Sequence, residues 1–134
     1  MVRPRKFTDD DHLVELSDED FMASRARTRP YTVCILKKGP NYEPPGTDFS
    51  QGVPQIIYQH GKRNTRLRLS GLLPVVCPLP APDEMAGVGI FNCSVEEADR
   101  IMSTDPAVMA GVLTYHLYQT RALPGSALPD PDQS

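Results

Sequence analysis

The sequence predicts an α+β fold: a ferredoxin-like β-α-β-β-α-β chain whose antiparallel sheet is backed by helices on one face. Three observations carry this. Four short stretches rich in β-branched and apolar residues are interleaved with two helical stretches. The second helix has legible ends, Ser94 with Glu97 at its start and Asp105-Pro106 at its finish. The strands are apolar on both alternating sets of positions, as in Val33/Ile35 and Cys34/Leu36.

Taken in order, Tyr31–Lys38 reads as a central strand with both faces covered. Gly39–Gly52 holds three prolines and three glycines and reads as a loop. Pro54–Leu69 reads as a helix with proline in its first turn. Leu72–Pro78 reads as a strand, and Pro74, which cannot donate to a ladder, assigns it to a sheet edge. Ala86–Cys93 is a third strand, locally weakened by Gly87 and Gly89. The capped helix 95–103 follows, with acids in its first turn suiting the helix dipole. A short turn ends at Gly111, and Val112–Gln119 is the fourth strand. Helices of this topology cover one sheet face, so the second apolar set, including Val88/Ile90, calls for a partner sheet. The simplest supplier is a second copy of the chain, or else the N-terminal arm or loop 39–52.

Residues 1–30 form a charged extension, with acidic runs at 9–11 and 18–20 between the basic ends Arg3/Arg5/Lys6 and Arg25/Arg27/Arg29. Ser17 is placed to cap a short helix reaching about Arg25. Residues 31–123 are the folded domain, and 124–134 are an irregular tail rich in proline. At 134 residues the chain buries a core without disulfides or metals. A net charge of −3 argues against a nucleic-acid binder. No apolar run approaches a membrane span, and no signal-peptide core opens the chain, so a cytoplasmic protein without a membrane partner is expected. Cys34, Cys77 and Cys93 lie in apolar runs without metal-ligand spacing and read as three buried thiols, with no metal and no cofactor implied.

His60 is the first candidate for chemistry. Ile56, Ile57, Asn64 and Leu67 share its helix stripe, which turns it inward, where each ring nitrogen needs a partner. Imidazole titrates near neutrality and suits proton transfer; the same spacing also fits a packed structural histidine. Gly61 after it permits close approach of another backbone. Asp105 is the second candidate. A carboxylate there is able to fix a histidine's tautomer, or simply to bond nearby backbone N–H groups before Pro106. His116, with Thr114, Tyr118 and Val112, lines one sheet face by parity. This makes His116 and Tyr118 substrate-binding candidates if that face forms a pocket with a partner subunit, and a cross-strand packing pair otherwise. Tyr58 reads as flanking or exposed. Lys62, Arg63, Arg66 and Arg68 place four cations in seven residues, best read as a solvated helix face rather than a nucleic-acid patch, since no aromatic residues interleave them.

These residues together resemble the YCII-related (YciI-like) family over about Tyr31 to Pro129. The resemblance rests on Tyr-Thr-Val-Cys-Ile-Leu, His60 followed by Ser70-Gly71-Leu72-Leu73, the Gly87 strand, Ser94-Val-Glu-Glu-Ala and Asp105-Pro106-Ala-Val-Met-Ala-Gly111. The tail Leu123-Pro-Gly-Ser-Ala-Leu-Pro129 completes it. It implies a ferredoxin-like fold pairing as a dimeric α+β barrel, and a His–Asp site at His60 and Asp105. Similar proteins include a dechlorinase acting on a chlorinated polyhydroxybenzene. The expected activity is general acid/base chemistry, by elimination, dechlorination or isomerisation, on a small cyclic oxygenated substrate, with no cofactor. A pocket is expected between the helix layer and the sheet, with loop 39–52 as its lid. The alternative is a non-catalytic homodimer serving as ligand carrier or accessory subunit.

Overall fold

The computed structural model describes residues 6–44 and 46–132. Arg3 and Arg5 of the basic N-terminal end, and Pro45 of the long loop, lie outside the described residues. The chain divides into two units, one of residues up to Arg29 with those from Arg121 on, the other Pro30–Thr120.

In the first unit, Ser17 caps helix α1 (Asp18–Ala26), its hydroxyl accepting from Asp20 N. The three acids of the first turn face the positive end of the helix dipole. No residue of α1 is buried, and Phe21 and Met22 are exposed. Arg121 donates through Nε to Thr28 Oγ1 and through Nη2 to Thr28 O.

The second unit is built on strands β1 (Arg29–Lys38), β2 (Val75–Pro78), β3 (Met85–Phe91) and β4 (Leu113–Ala122), with helices α2 (Gly52–Leu69), α3 (Val95–Ser103) and α4 (Pro106–Met109). The sheet runs β2-β3-β1-β4 and is antiparallel, the order of a ferredoxin-like fold. β2 is an edge strand, as expected, but the ladder starts at Val75 rather than Leu72, so Pro74 lies just before it and takes no place in the sheet. The reason is local. Leu72 N and Leu73 N donate to Leu67 O to close the end of α2, so neither is free to pair in the sheet.

Strand parity sorts the side chains. Thr32, Cys34, Leu36, Gly87, Gly89 and Phe91 share the buried face, Thr32 opposite Phe91 and Cys34 opposite Gly89. Val33 opposite Ile90 and Ile35 opposite Val88 lie half-buried on the other. The core joins Cys34, Leu36 and Phe91 to Leu73, Ala98, Met102, Ala107, Val112 and Leu113. Val112 therefore departs from the face expected for it: it precedes β4, and its N–H closes α4 by donating to Ala107 O. The three thiols also separate. Cys34 is buried, while Cys77 and Cys93 are only half-buried, Cys77 because it shares the outer parity with Val75. Burial pushes the Cys34 thiol up to about 12, with the Asp105 charge adding to it.

Ser94 caps α3, its hydroxyl accepting from Glu97 N, and the Glu97 side chain pairs with Arg100. Between β1 and α4 two backbones nearly touch. Gly39 N donates to Val112 O and Asn41 N to Gly111 O, and a Cβ on Gly39 would sit 2.4 Å from Gly111 O. Gly111 itself has φ +72°, a conformation L side chains rarely adopt. Gly39→Ala is therefore expected to lower stability by about 1–3 kcal/mol, the usual penalty of forced overpacking. Urea unfolding checks this; an unshifted midpoint would refute the close approach.

Candidate functional site

α2 presents Ile56, Ile57, His60, Asn64 and Leu67 inward, and of these His60 and Asn64 are buried. α4 packs against α2, which brings its N-cap, Asp105, to the ring of His60. His60 Nδ1 lies 2.9 Å from both carboxylate oxygens of Asp105. That geometry puts a proton on Nδ1. Asp105 is fully buried, and its Oδ2 also accepts from Ala107 N and Val108 N. Both roles weighed for Asp105 are thus filled by one carboxylate, local cap and histidine partner. Burial pushes its pKa up. The hydrogen bond and charge of His60, with the two backbone N–H donors, outweigh that and hold it below its ordinary value of 3.8.

The second ring nitrogen is also met. Asn64 Nδ2 lies 3.1 Å from His60 Nε2, one helical turn along α2. Two features of this wall escaped the sequence. Asn64 shows there as a stripe neighbour only, without a role. Arg63 reads there as part of a solvated face. In the structure Lys62, Arg66 and Arg68 are exposed, but Arg63 is half-buried. Its Nη1 lies 3.6 Å from Asp105 Oδ1 and its Nη2 donates to Thr104 Oγ1. The available signal is its i+3 spacing from His60, which places it beside the same carboxylate.

His60 and Asn64 form part of the wall of a cavity of about 770 Å³ that opens to solvent between α2 and the sheet. Cys34, Leu36, Phe91 and Leu113 contribute an apolar floor. Gly87 and Gly89 line it too, and a Cβ on Gly89 would sit 3.0 Å from Leu73 Cδ1, so glycine there lets Leu73 pack close to the sheet. Tyr42, Glu43 and Pro44 of the long loop line it as well. Gly61 lines the cavity, and no other backbone approaches it: a Cβ there would meet nothing within 4 Å. Its role as a point of close backbone approach is therefore corrected.

His116 and Tyr118 are not brought to this pair. They lie exposed in β4 with Thr114, at alternate positions to Tyr115 and Leu117, which pack on the core. Tyr58 is exposed and stacks on Phe49, with ring centroids 6.0 Å apart. Among the described residues no group of three or more His, Cys, Asp or Glu is placed to hold a metal ion, and no helix is long and apolar enough to cross a membrane. No known family model matches the chain, and no curated protein matches it.

Proposed function

We propose that this protein is a cofactor-independent acid–base enzyme in which His60 takes and returns a proton while Asp105 orients the ring and offsets its charge. One observation carries the reading: a hydrogen-bonded His–Asp pair, at 2.9 Å, with its histidine in the wall of an open cavity. A histidine held only for packing needs no such space beside it. The cavity suits a small organic molecule. With an apolar floor and the polar His60 and Asn64 on α2, it favours a ring lying on the sheet with its oxygens turned toward α2. The reaction class is proton abstraction from carbon next to an oxygenated carbon. The C–H electron pair forms a new double bond, and one of two outcomes follows. Either a leaving group such as chloride on the adjacent carbon departs with its bonding pair, or the π pair of an adjacent carbonyl moves onto its oxygen and the resulting enolate takes the proton back elsewhere on the ring as the double bonds shift.

The resemblance to the YciI-like family supports the same assignment, and with it a homodimer closed through the outer sheet face. The half-buried pairs Val33–Ile90 and Ile35–Val88 support that face as the interface. His116 and Tyr118 would then line an intersubunit pocket. Light scattering on a sizing column is expected to report the mass of two chains, and Ile35→Glu to report one. A wild-type monomer would remove the dimer from this reading.

A second reading is favoured by one contact: Asn64 already occupies His60 Nε2, as in a ligand-binding or accessory protein without chemistry. Exchange in D2O separates the two. Cyclic ketones and hydroxylated benzenes, chlorinated members included, are incubated with the protein. NMR follows deuterium entering carbon, and chloride release is measured in parallel. Exchange that disappears in folded His60→Ala supports the enzyme. Saturable binding with no exchange in any compound identifies a binding protein instead.

A further inference from the structure

Asn64 is buried, sits one turn from His60, and places its Nδ2 3.1 Å from Nε2. Its own Oδ1 is buried and has no hydrogen-bond partner. A buried acceptor left unpaired is unfavourable, and such atoms are uncommon in folded proteins. With Nδ1 donating to Asp105, Nε2 is left as the site where a proton arrives or departs. In the neutral ring Nε2 carries a lone pair and needs a donor. In the charged ring it carries a proton and needs an acceptor. A side-chain amide offers both, exchanged by a half-turn about its last bond.

We propose that Asn64 is the positioning residue of the pair: its amide N–H meets the Nε2 lone pair while the ring proton sits on Nδ1, and its unpaired Oδ1 is the acceptor that turns in when Nε2 gains a proton. This rests on the acid–base reading for its purpose, but its test needs no substrate. The proton balance is simple. One proton is added at Nε2, the other stays on Nδ1 and is accepted by Asp105, and the amide rotates without exchanging any proton of its own. The neutral ring with its proton on Nδ1 is the form that keeps a basic lone pair on Nε2. Asn64 would thus partner the base form of the ring and accommodate the acid form once it exists.

The charged or titratable groups around the ring are Asp105 at the start of α4, Arg63 on α2, Cys34 on β1, and, along the cavity, Lys38, Tyr42, Glu43, Arg68 and Cys77. None changes when Asn64 is replaced, so a difference between variants reports the amide.

The experiment is NMR on the full chain labelled with 15N, titrated in pH. In wild type, Nε2 is expected to show the shift of an unprotonated ring nitrogen above the midpoint, with the proton on Nδ1. The Asn64 side-chain N–H resonances are expected to move with the same midpoint as the ring. Asn64→Asp alters little volume but replaces the donor with an anionic acceptor, and should raise the His60 midpoint by at least about one pH unit. Asn64→Leu should leave the ring titrating with no coupled amide. A wild-type ring carrying its neutral proton on Nε2 would overturn the proposal. So would an Asn64 amide that stays still through the His60 titration, or an unmoved midpoint in Asn64→Asp. If the leucine variant fails to fold, the wild-type tautomer and the aspartate variant decide. The result stands whichever way the deuterium-exchange assay falls, so failure here and failure of the enzyme reading are told apart.

Discussion

Replacing Asp105 with alanine is expected to destabilise the protein by about 3–5 kcal/mol, the scale for removing one partner of a buried charged pair. One side chain supplies three things. It accepts from His60 Nδ1, it caps α4 through Ala107 N and Val108 N, and its charge faces Arg63 Nη1 at 3.6 Å. Alanine leaves a buried ring N–H and two helix-end N–H groups without an acceptor, and a guanidinium without its counter-charge. The cap alone is worth about 1 kcal/mol. Set against a typical total of about 5–15 kcal/mol, this leaves a marginal fold. Asp105→Asn keeps an oxygen for the cap and should lose less, about 1–3 kcal/mol. Urea unfolding of both variants checks the order. Equal midpoints for wild type and Asp105→Ala would show that the buried pair contributes nothing net.

The pH dependence carries a sign. The Asp105 carboxyl sits below its ordinary value of 3.8 in the folded protein and at that value when unfolded. The unfolded chain therefore takes up its proton first as pH falls. The stability that ionised Asp105 contributes is complete above about pH 4 and is lost as pH falls through 3.8 toward the folded value. The gap between wild type and Asp105→Asn should narrow as pH falls below about 4. A gap that widened on acidification would contradict the depressed carboxyl.

How far this site is legible in the sequence depends on how local its chemistry is. α3 spans Val95–Ser103, as its sequence signals indicate, because Ser94 and the Asp105-Pro106 break act within one turn. The inward turn of His60 is legible for the same reason, since helical spacing alone puts it on the stripe of Ile56, Ile57 and Asn64. The contact between His60 and Asp105 is not. Forty-five positions separate them, and only the packing of α4 on α2 joins them. Arg63 misleads because a long side chain in a basic run usually reaches water, whereas this one lies back over a carboxylate that the helix pattern alone does not reveal. The cysteines mislead because composition treats them alike while strand parity does not. The start of β2 is misplaced because Leu72 and Leu73 look like strand residues but spend their N–H groups on the end of α2.

Asp105→Asn is expected to remove as much exchange activity as His60→Gln, despite its milder effect on stability. Loss of a general base lowers rate by about 10²–10⁴-fold, which sets the expectation for His60→Gln. The asparagine variant reaches the same end through charge. Ala107 N and Val108 N both donate to Asp105 Oδ2, so the new side chain must keep its oxygen on the cap. Its NH2 then takes the place of Oδ1, while the retained oxygen, at 2.9 Å from His60 Nδ1, goes on accepting the ring proton. The tautomer is kept, but the negative charge that offsets the protonated ring is gone, so the imidazolium that forms on proton abstraction loses its stabiliser. Ring 15N shifts should show the proton on Nδ1 in both proteins, with exchange lost in the variant. A folded Asp105→Asn protein that kept wild-type exchange would separate the Asp105 charge from the chemistry and leave it as a helix cap.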